Sequence, residues 1–123
     1  MIINEKTTKK ISAKLSALEI DVIKVYIQGA VYSFCNYKNE DGKSGWFAVY
    51  TLFGKDNYYW KYPLKLLYEY HIAQGKTQKE AVSMAGKDLG ILLKNFLIED
   101  DYTYEVDKEQ RHFSVNCYRR VQP

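Results

Sequence analysis

The segment from Lys76 to Leu97 constrains the fold most, because it predicts one helix with two chemically distinct sides. At about 100° per residue, apolar side chains share one arc. That arc contains Ala81, Val82, Ala85, Leu89, Leu92, Leu93 and Phe96. A second arc carries lysine, serine and glycine and contains Lys79, Ser83, Gly86, Lys87, Gly90 and Lys94. The apolar arc predicts a core-facing side, and the second arc predicts a side that another molecule or helix can approach.

Gly86 and Gly90 leave the second arc without side chains at two positions one helical turn apart. Glycine at such positions allows a neighbour to reach the backbone closely. The neighbour can be another helix of the same domain, which is the usual reason for glycine inside a helix. It can also be a bulky or charged partner, such as a phosphate backbone flanked by the lysines. The sequence leaves both interpretations open.

Length and composition predict a single domain. The chain has 123 residues, of which 46% are apolar, enough for one core and too few for two. We divide it into a lysine-bearing lead-in, residues 1–16, and a domain, residues 17–123. No segment approaches the roughly 20 apolar residues of a membrane span, and the first residues lack a secretory pattern, so we expect a cytoplasmic protein. Cys35 and Cys117 are predicted to be buried thiols, with no metal or cofactor.

A first helix is predicted from Ala17 to Asn36. Ser16 and Glu19 have the spacing of a capping box, in which each side chain satisfies the other residue's exposed amide. If this is a helix, Tyr26, Ala30 and Phe34 are expected to be buried. The segment is also rich in β-branched and aromatic residues, so a hairpin pairing residues 22–27 with 30–37 is the alternative.

The middle of the chain predicts a short strand, a loop and two helices. The apolar run 46–53 is read as a strand that leads into one helical turn closed by Gly54. A loop covers residues 55–62, and Pro63 precedes a second helix that Gly75 ends. Thr77 to Glu80 forms another capping box, which opens the third helix.

After Glu99 the periodicity changes to two, which predicts an antiparallel hairpin with a charged tip at residues 107–111. One face of this hairpin is apolar. The opposite, outward face is expected to carry His112, Ser114, Asn116, Tyr118 and Arg120.

The order helix, short strand, helix, helix and hairpin resembles a winged helix-turn-helix domain. The resemblance covers residues 17–121, rests on element order, and implies an α+β fold of three main helices, one short strand and a C-terminal hairpin. It implies a recognition helix at Thr77–Leu97 and a wing at the hairpin, with double-stranded DNA as partner. The side chains expected to contact nucleic acid are Lys76, Lys79, Ser83, Lys87, Lys94, Lys108, Arg111 and Arg120. The long aromatic loop and the tight join at Gly75 depart from that pattern.

No sequence motif indicates an enzyme. His71 and His112 lie outside recognisable catalytic patterns, and there is no phosphate loop, paired-carboxylate signature or nucleophile elbow. Cys35 with His71 is a conceivable nucleophile and base, but one pairing among so few residues arises readily by chance. We therefore expect a protein without catalytic activity.

An aromatic loop suggests a different class of function, a protein-binding module. The candidate contact residues are Tyr58, Tyr59, Trp60, Lys61 and Tyr62. Clustered tyrosine and tryptophan are typical of interface hot spots. Such a domain could come from a phage or mobile element and act as an inhibitor or adaptor on a host protein. Trp60 has a second interpretation, in which it covers the end of the second helix.

Overall fold

The computed structural model describes residues 1–112 and 115–121, with the side chains of 108–115 outside the description. Within this range the fold is α+β, with four α-helices followed by a two-stranded antiparallel hairpin. The elements are α1 (Ala17–Cys35), α2 (Val49–Phe53), a 3₁₀ turn (Asn57–Tyr59), α3 (Lys65–Ala73), α4 (Gln78–Glu99), β1 (Thr103–His112) and β2 (Val115–Val121). None of the described helices is both long and apolar enough to cross a membrane.

The first helix is confirmed, and the hairpin alternative is wrong. Ser16 and Glu19 form the predicted capping box at the start of α1. The expected burial is wrong for Tyr26, however, and Ala30 and Phe34 are only partly buried. The buried residues repeat every four positions, Ile23, Ile27, Val31 and Cys35, while Tyr26 is 48% exposed. Only this stripe of α1 is fully buried in the core, and the ring of Tyr26 lies outside it, beside the ring of Phe53.

The helical turn predicted at the end of residues 46–53 is confirmed as α2, closed by Gly54, but the strand predicted before it is reduced to a single bridge at Phe47. Phe47 forms two backbone hydrogen bonds of 2.7 Å with Tyr118, and α2 begins two residues later. The Ala48 amide donates to Thr51 Oγ1 at 3.1 Å, and Gly54 ends the helix with a φ of +84°. The expected short strand is therefore limited to the Phe47 bridge with β2, and the helical turn after it forms a fourth α-helix that satisfies its own amides.

Helix α4 is the element on which the other helices pack. The capping box at Thr77 is confirmed, and Gly75 adopts the positive φ of a helix C-terminus. Helix α3 packs against α4 most extensively, and α1 and α2 also contact it. The buried α4 side chains are Ala81, Ala85, Asp88, Leu89, Leu92, Leu93 and Leu97. All except Asp88 and Leu97 belong to the predicted apolar arc.

The hairpin is confirmed, but the orientation of β2 is not the expected one. Tyr104 pairs with Arg120 and Val106 with Tyr118, and directly paired residues point to the same face. Tyr104, Tyr118 and Arg120 are all buried. Tyr118 and Arg120 therefore lie on the core face, whereas we expected them outside. The predicted outer positions His112 and Ser114 fall among the residues whose side chains are not described.

The lead-in, residues 1–16, lies along α4 and the hairpin. Ile2 is buried and forms a parallel bridge with Tyr104. The side chain of Asn95 hydrogen-bonds both backbone polar groups of Lys9, at 3.0 Å and 2.7 Å. Further along, Ser12 and Ala13 bind Asp88. This lysine-bearing segment is thereby placed beside the basic side of α4.

Candidate functional site: two surfaces

The first candidate surface is the basic side of α4. Lys76, Lys79, Ser83 and Lys87 are exposed there. Lys94 differs, because its Nζ lies 2.7 Å from Glu5 Oε2 and both side chains are largely buried. An anion would have to compete with that carboxylate for Lys94. Four of the eight residues predicted to contact nucleic acid are thus exposed together on α4 and the turn before it.

The lead-in adds a lysine to this surface that the sequence interpretation did not assign to it. Lys10 and Lys87 line one groove of about 330 Å³ beside Met84 and Ile91. The sequence shows the lysines of the lead-in, but no local sequence pattern predicts where a segment without regular secondary structure packs. Its position depends on the hydrogen bonds that Asp88 and Asn95 make with its backbone.

The hairpin does not contribute Arg120 to the basic surface. Its Nη2 donates to the backbone oxygen of Cys35 at 3.0 Å, and the guanidinium stacks 4.2 Å from the ring centroid of Tyr102. Arg120 is buried and serves the core. Lys108 and Arg111, at the predicted tip, lie outside the residues whose side chains the structure describes.

The glycines of α4 are not helix-packing positions. A Cβ added at Gly90 would meet nothing within 4 Å. A Cβ added at Gly86 would meet only Asn57 Nδ2, at 3.7 Å, an ordinary van der Waals distance. The interpretation that another α-helix of the domain packs on these glycines is therefore wrong: Gly90 faces open space, and among the described residues Gly86 is contacted only by the Asn57 side chain of the 3₁₀ turn.

A buried polar cluster joins the lead-in, α3 and α4. Asp88 accepts hydrogen bonds from the Ser12 amide and hydroxyl at 2.8 Å and from the Ala13 amide at 3.2 Å. Nε2 of His71 lies 2.9 Å from Asp88 Oδ2 and 3.4 Å from Ser12 Oγ. A catalytic triad needs the two histidine nitrogens to serve different partners. Here one nitrogen faces both groups, so the geometry is that of a satisfied buried carboxylate.

Cys35 and His71 are not a nucleophile and base pair. His71 makes its polar contacts with Ser12 and Asp88. Cys35 is fully buried, and this burial raises the pKa of its thiol, with a hydrogen bond from Ser44 and the charge of Arg120 opposing the rise. A thiol in such a site is a poor nucleophile. Among the described residues, no three potential metal ligands cluster together.

The second candidate surface is the aromatic loop. Tyr58, Tyr59 and Tyr62 are 43%, 80% and 59% exposed. The ring of Tyr58 makes edge-to-face contacts with Tyr59, at 6.3 Å between centroids, and with Tyr68 of α3, at 6.0 Å. These contacts restrain the rings while leaving their other sides open to solvent. We call Tyr26, Tyr58, Tyr59 and Tyr62 the aromatic surface.

Trp60 fixes this loop to the end of α2. It is 9% exposed, and its Nε1 donates to the backbone oxygen of Phe53 at 3.1 Å. In the second interpretation of the sequence, Trp60 covers the end of the second predicted helix, which corresponds to α3. Trp60 does cover a helix end, but it is the end of α2, at Phe53. Since most of the indole is covered, Trp60 offers a partner only the edges that line the neighbouring grooves.

Two grooves flank Trp60. One has a volume of about 240 Å³ and is lined by Tyr26, Leu52, Phe53, Tyr59, Trp60, Lys61 and Leu64. The other, which we call the Asn57 groove, has a volume of about 450 Å³. It is lined by Val49, Tyr50, Gly54, Lys55, Asp56, Asn57, Trp60 and Gly86. Trp60 of the aromatic loop and Gly86 of α4, which the sequence presents as parts of separate features, therefore meet at this groove.

Comparison of the chain with protein-family models, with curated proteins and with solved structures found no match.

Proposed function

We propose that this chain is a cytoplasmic, non-enzymatic module that binds a partner protein through the aromatic surface. The observation that carries the proposal is the exposure of four tyrosines around a tryptophan that is itself anchored. In the phage or mobile-element interpretation the partner is a host protein, and the module acts as its inhibitor or adaptor.

Tyrosine suits this role because it contributes a large apolar area while only two side-chain torsions must be ordered. The loop has already lost much of its freedom. Trp60 Nε1 donates a hydrogen bond to the backbone oxygen of Phe53, and Asn57 Nδ2 donates one to the backbone oxygen of Val82 at 2.7 Å. Binding to a preorganised loop costs less conformational entropy than binding to a free one.

The test uses a random peptide library displayed on phage and selected on the intact protein. Peptides are then compared on Tyr59→Ser/Tyr62→Ser and on Tyr37→Ser, a control tyrosine that is 83% exposed and lies outside the loop. We expect selected peptides to lose at least about tenfold in affinity on the double variant, as hot-spot losses of about 2 kcal/mol imply. The control should bind them normally.

Equal binding of the selected peptides to wild type and to Tyr59→Ser/Tyr62→Ser would contradict the proposal. Each variant is compared by thermal unfolding first. Exposed tyrosines contribute little to the core, so the melting temperatures should be nearly unchanged.

Binding of double-stranded DNA in a winged-helix manner is the second candidate function. It is supported by the exposed Lys76, Lys79 and Lys87, by Lys10 beside Lys87, and by the bridge that Phe47 forms with β2 of the hairpin. The support is weaker, because Lys94 is paired with Glu5 and Arg120 is buried. Phosphate contacts would make any such affinity fall steeply with salt.

Fluorescence anisotropy with random-sequence duplex DNA separates the two functions. If DNA is the partner, Lys79→Glu/Lys87→Glu abolishes binding and Tyr59→Ser/Tyr62→Ser does not. If the aromatic surface is the site, Tyr59→Ser/Tyr62→Ser weakens peptide binding and Lys79→Glu/Lys87→Glu does not. The peptide affinity then changes little between roughly 50 and 300 mM salt, as expected of an apolar interface.

A further inference from the structure

A groove between the lead-in and α4 combines apolar side chains with two lysines. It has a volume of about 330 Å³ and is lined by Lys10, Ile11, Ser12, Met84, Lys87, Asp88 and Ile91. We call it the lead-in groove. Its α4 residues recur three and four positions apart, so they form one stripe of that helix, and the lead-in supplies the opposite wall. None of its lining residues lines either of the grooves beside Trp60.

The acidic residue of the lead-in groove is already engaged by the protein itself. Asp88 is 1% exposed, and its carboxylate accepts hydrogen bonds from the amide and the hydroxyl of Ser12 at 2.8 Å. Nε2 of His71 lies 2.9 Å from the same carboxylate. Even with the charge of Asp88 counted, Lys10 and Lys87 leave the groove net positive.

The two lysines are available to a ligand. Lys10 and Lys87 are exposed, and no carboxylate among the described residues forms an ion pair with either of them. They belong to opposite walls of the groove, and Ile11, Met84 and Ile91 lie in the same groove, each only partly buried. A ligand that matches this arrangement has negative charge on both sides of an apolar group.

We infer that the lead-in groove binds an acidic segment of a partner protein. An apolar side chain such as leucine packs against Ile11, Met84 and Ile91, and neighbouring carboxylates pair with Lys10 and Lys87. The apolar contact removes half-exposed side chains from water, and the opposite charges favour this partner over a basic one. The flexible side chain of Met84 can adapt to the shape of the group that it meets.

A nucleic acid matches the groove less completely than an acidic protein segment does. A phosphate backbone would neutralise the lysines, but it would bring no apolar group to the side chains between them. The inference goes beyond the proposed function and does not depend on it, because the lead-in groove contains no residue of the aromatic surface.

The probe is a capped peptide with one leucine between two pairs of glutamates. It is titrated into the full chain, ¹³C-labelled at the methionine methyl groups and observed by NMR. The chain has two methionines, Met1 and Met84. The amino group of Met1 hydrogen-bonds the backbone oxygens of Asp100 and Tyr102, beyond the far end of α4, so its methyl group is an internal control. We expect the methyl signal of Met84 to shift and that of Met1 to stay unchanged.

Two double variants with equal charge separate this groove from general attraction. Lys10→Glu/Lys87→Glu changes the groove, whereas Lys76→Glu/Lys79→Glu changes two exposed lysines that do not line it. The first should weaken binding of the peptide at least about tenfold, and the second less than about threefold at physiological salt, where distant charges are screened. A peptide with lysine in place of each glutamate should bind Lys10→Glu/Lys87→Glu better than it binds the wild type.

The apolar half of the inference is tested on the wild-type chain, so it does not depend on the folding of a variant. A peptide with serine in place of leucine should bind about tenfold more weakly, as expected when a leucine side chain is no longer buried. Melting temperatures of the lysine variants should be nearly unchanged, because exposed lysines contribute little to the core.

Three results would overturn the inference: equal losses in the two double variants, equal affinity for the leucine and serine peptides, or no shift of Met84 up to the solubility limit of the peptide. Random-sequence duplex DNA, or vesicles of phosphatidylserine and phosphatidylcholine, that shift Met84 at lower concentration than the peptide would also overturn it. The proposed function fails separately, when library peptides ignore Tyr59→Ser/Tyr62→Ser.

Discussion

Replacing Gly86 and Gly90 by alanine, one at a time, measures directly whether α4 has an open side. A glycine inside a helix costs about 1 kcal/mol relative to alanine, because its backbone loses more freedom on folding. The structure adds no steric term at Gly90, where a Cβ meets nothing within 4 Å, and none of consequence at Gly86, where the nearest atom is 3.7 Å away. Each substitution should therefore raise the free energy of unfolding by about 1 kcal/mol.

Urea unfolding followed by circular dichroism measures this free energy, and thermal unfolding should show an increase of about 4 °C per substitution for a domain of this size. The slope of the urea dependence should not change, since neither the folded nor the unfolded surface is altered much. A loss of 1 kcal/mol or more in either variant would refute the reasoning, because such a loss requires a neighbour too close for a methyl group. A loss at Gly86 alone would indicate that the Asn57 groove is closed.

Three further predictions concern buried groups. Asp88→Asn should lower the free energy of unfolding by about 3–5 kcal/mol in urea titrations, because an amide cannot accept all the hydrogen bonds that Asp88 receives. An unchanged free energy of unfolding would contradict the structural role of Asp88. In a Trp46→Phe background, Trp60 should emit as a shielded indole and resist quenching by acrylamide, and Trp60→Ala should cost about 3–5 kcal/mol; rapid quenching would show that the loop is open. Burial, together with a hydrogen bond to Asp100, raises the pKa of Tyr104, so the folded state retains that proton above about pH 10 when the unfolded state has lost it. The part of the unfolding free energy that depends on the Tyr104 proton should be fully present below about pH 10 and should fall as the pH rises further. Tyr104→Phe should therefore lose less stability at alkaline pH than the wild type does.

Local rules were sufficient for most of the helices. Capping boxes at Ser16 and Thr77 and the positive φ at Gly75 depend on neighbouring residues, so sequence spacing predicts them well. The apolar arc of α4 was also predictable, because the period of a helix relates residues that lie close in the chain. The alternation of residues 102–106 and 113–118 likewise indicated a hairpin, which is confirmed by the pairing of β1 with β2.

Orientation was harder to predict, because it depends on contacts between distant residues. The face of β2 that meets the core is set by its pairing with Phe47 and Tyr104, and a shift of one residue reverses every side chain. Alternation alone is compatible with both registers, so Tyr118 and Arg120 were placed on the wrong face. The same reason applies to α1, where packing selected the stripe of Ile23, Ile27 and Val31.

The candidate site belongs almost entirely to the tertiary level. The sequence by itself determined that α4 has a glycine and lysine side and that residues 58–62 form an aromatic loop. Only the tertiary structure decided that these features meet around Trp60, that Lys94 is matched by Glu5, and that Lys10 and Lys87 line one groove. The physical reason is that burial and hydrogen-bond satisfaction depend on every group that surrounds an atom, and those groups come from segments far apart in the chain.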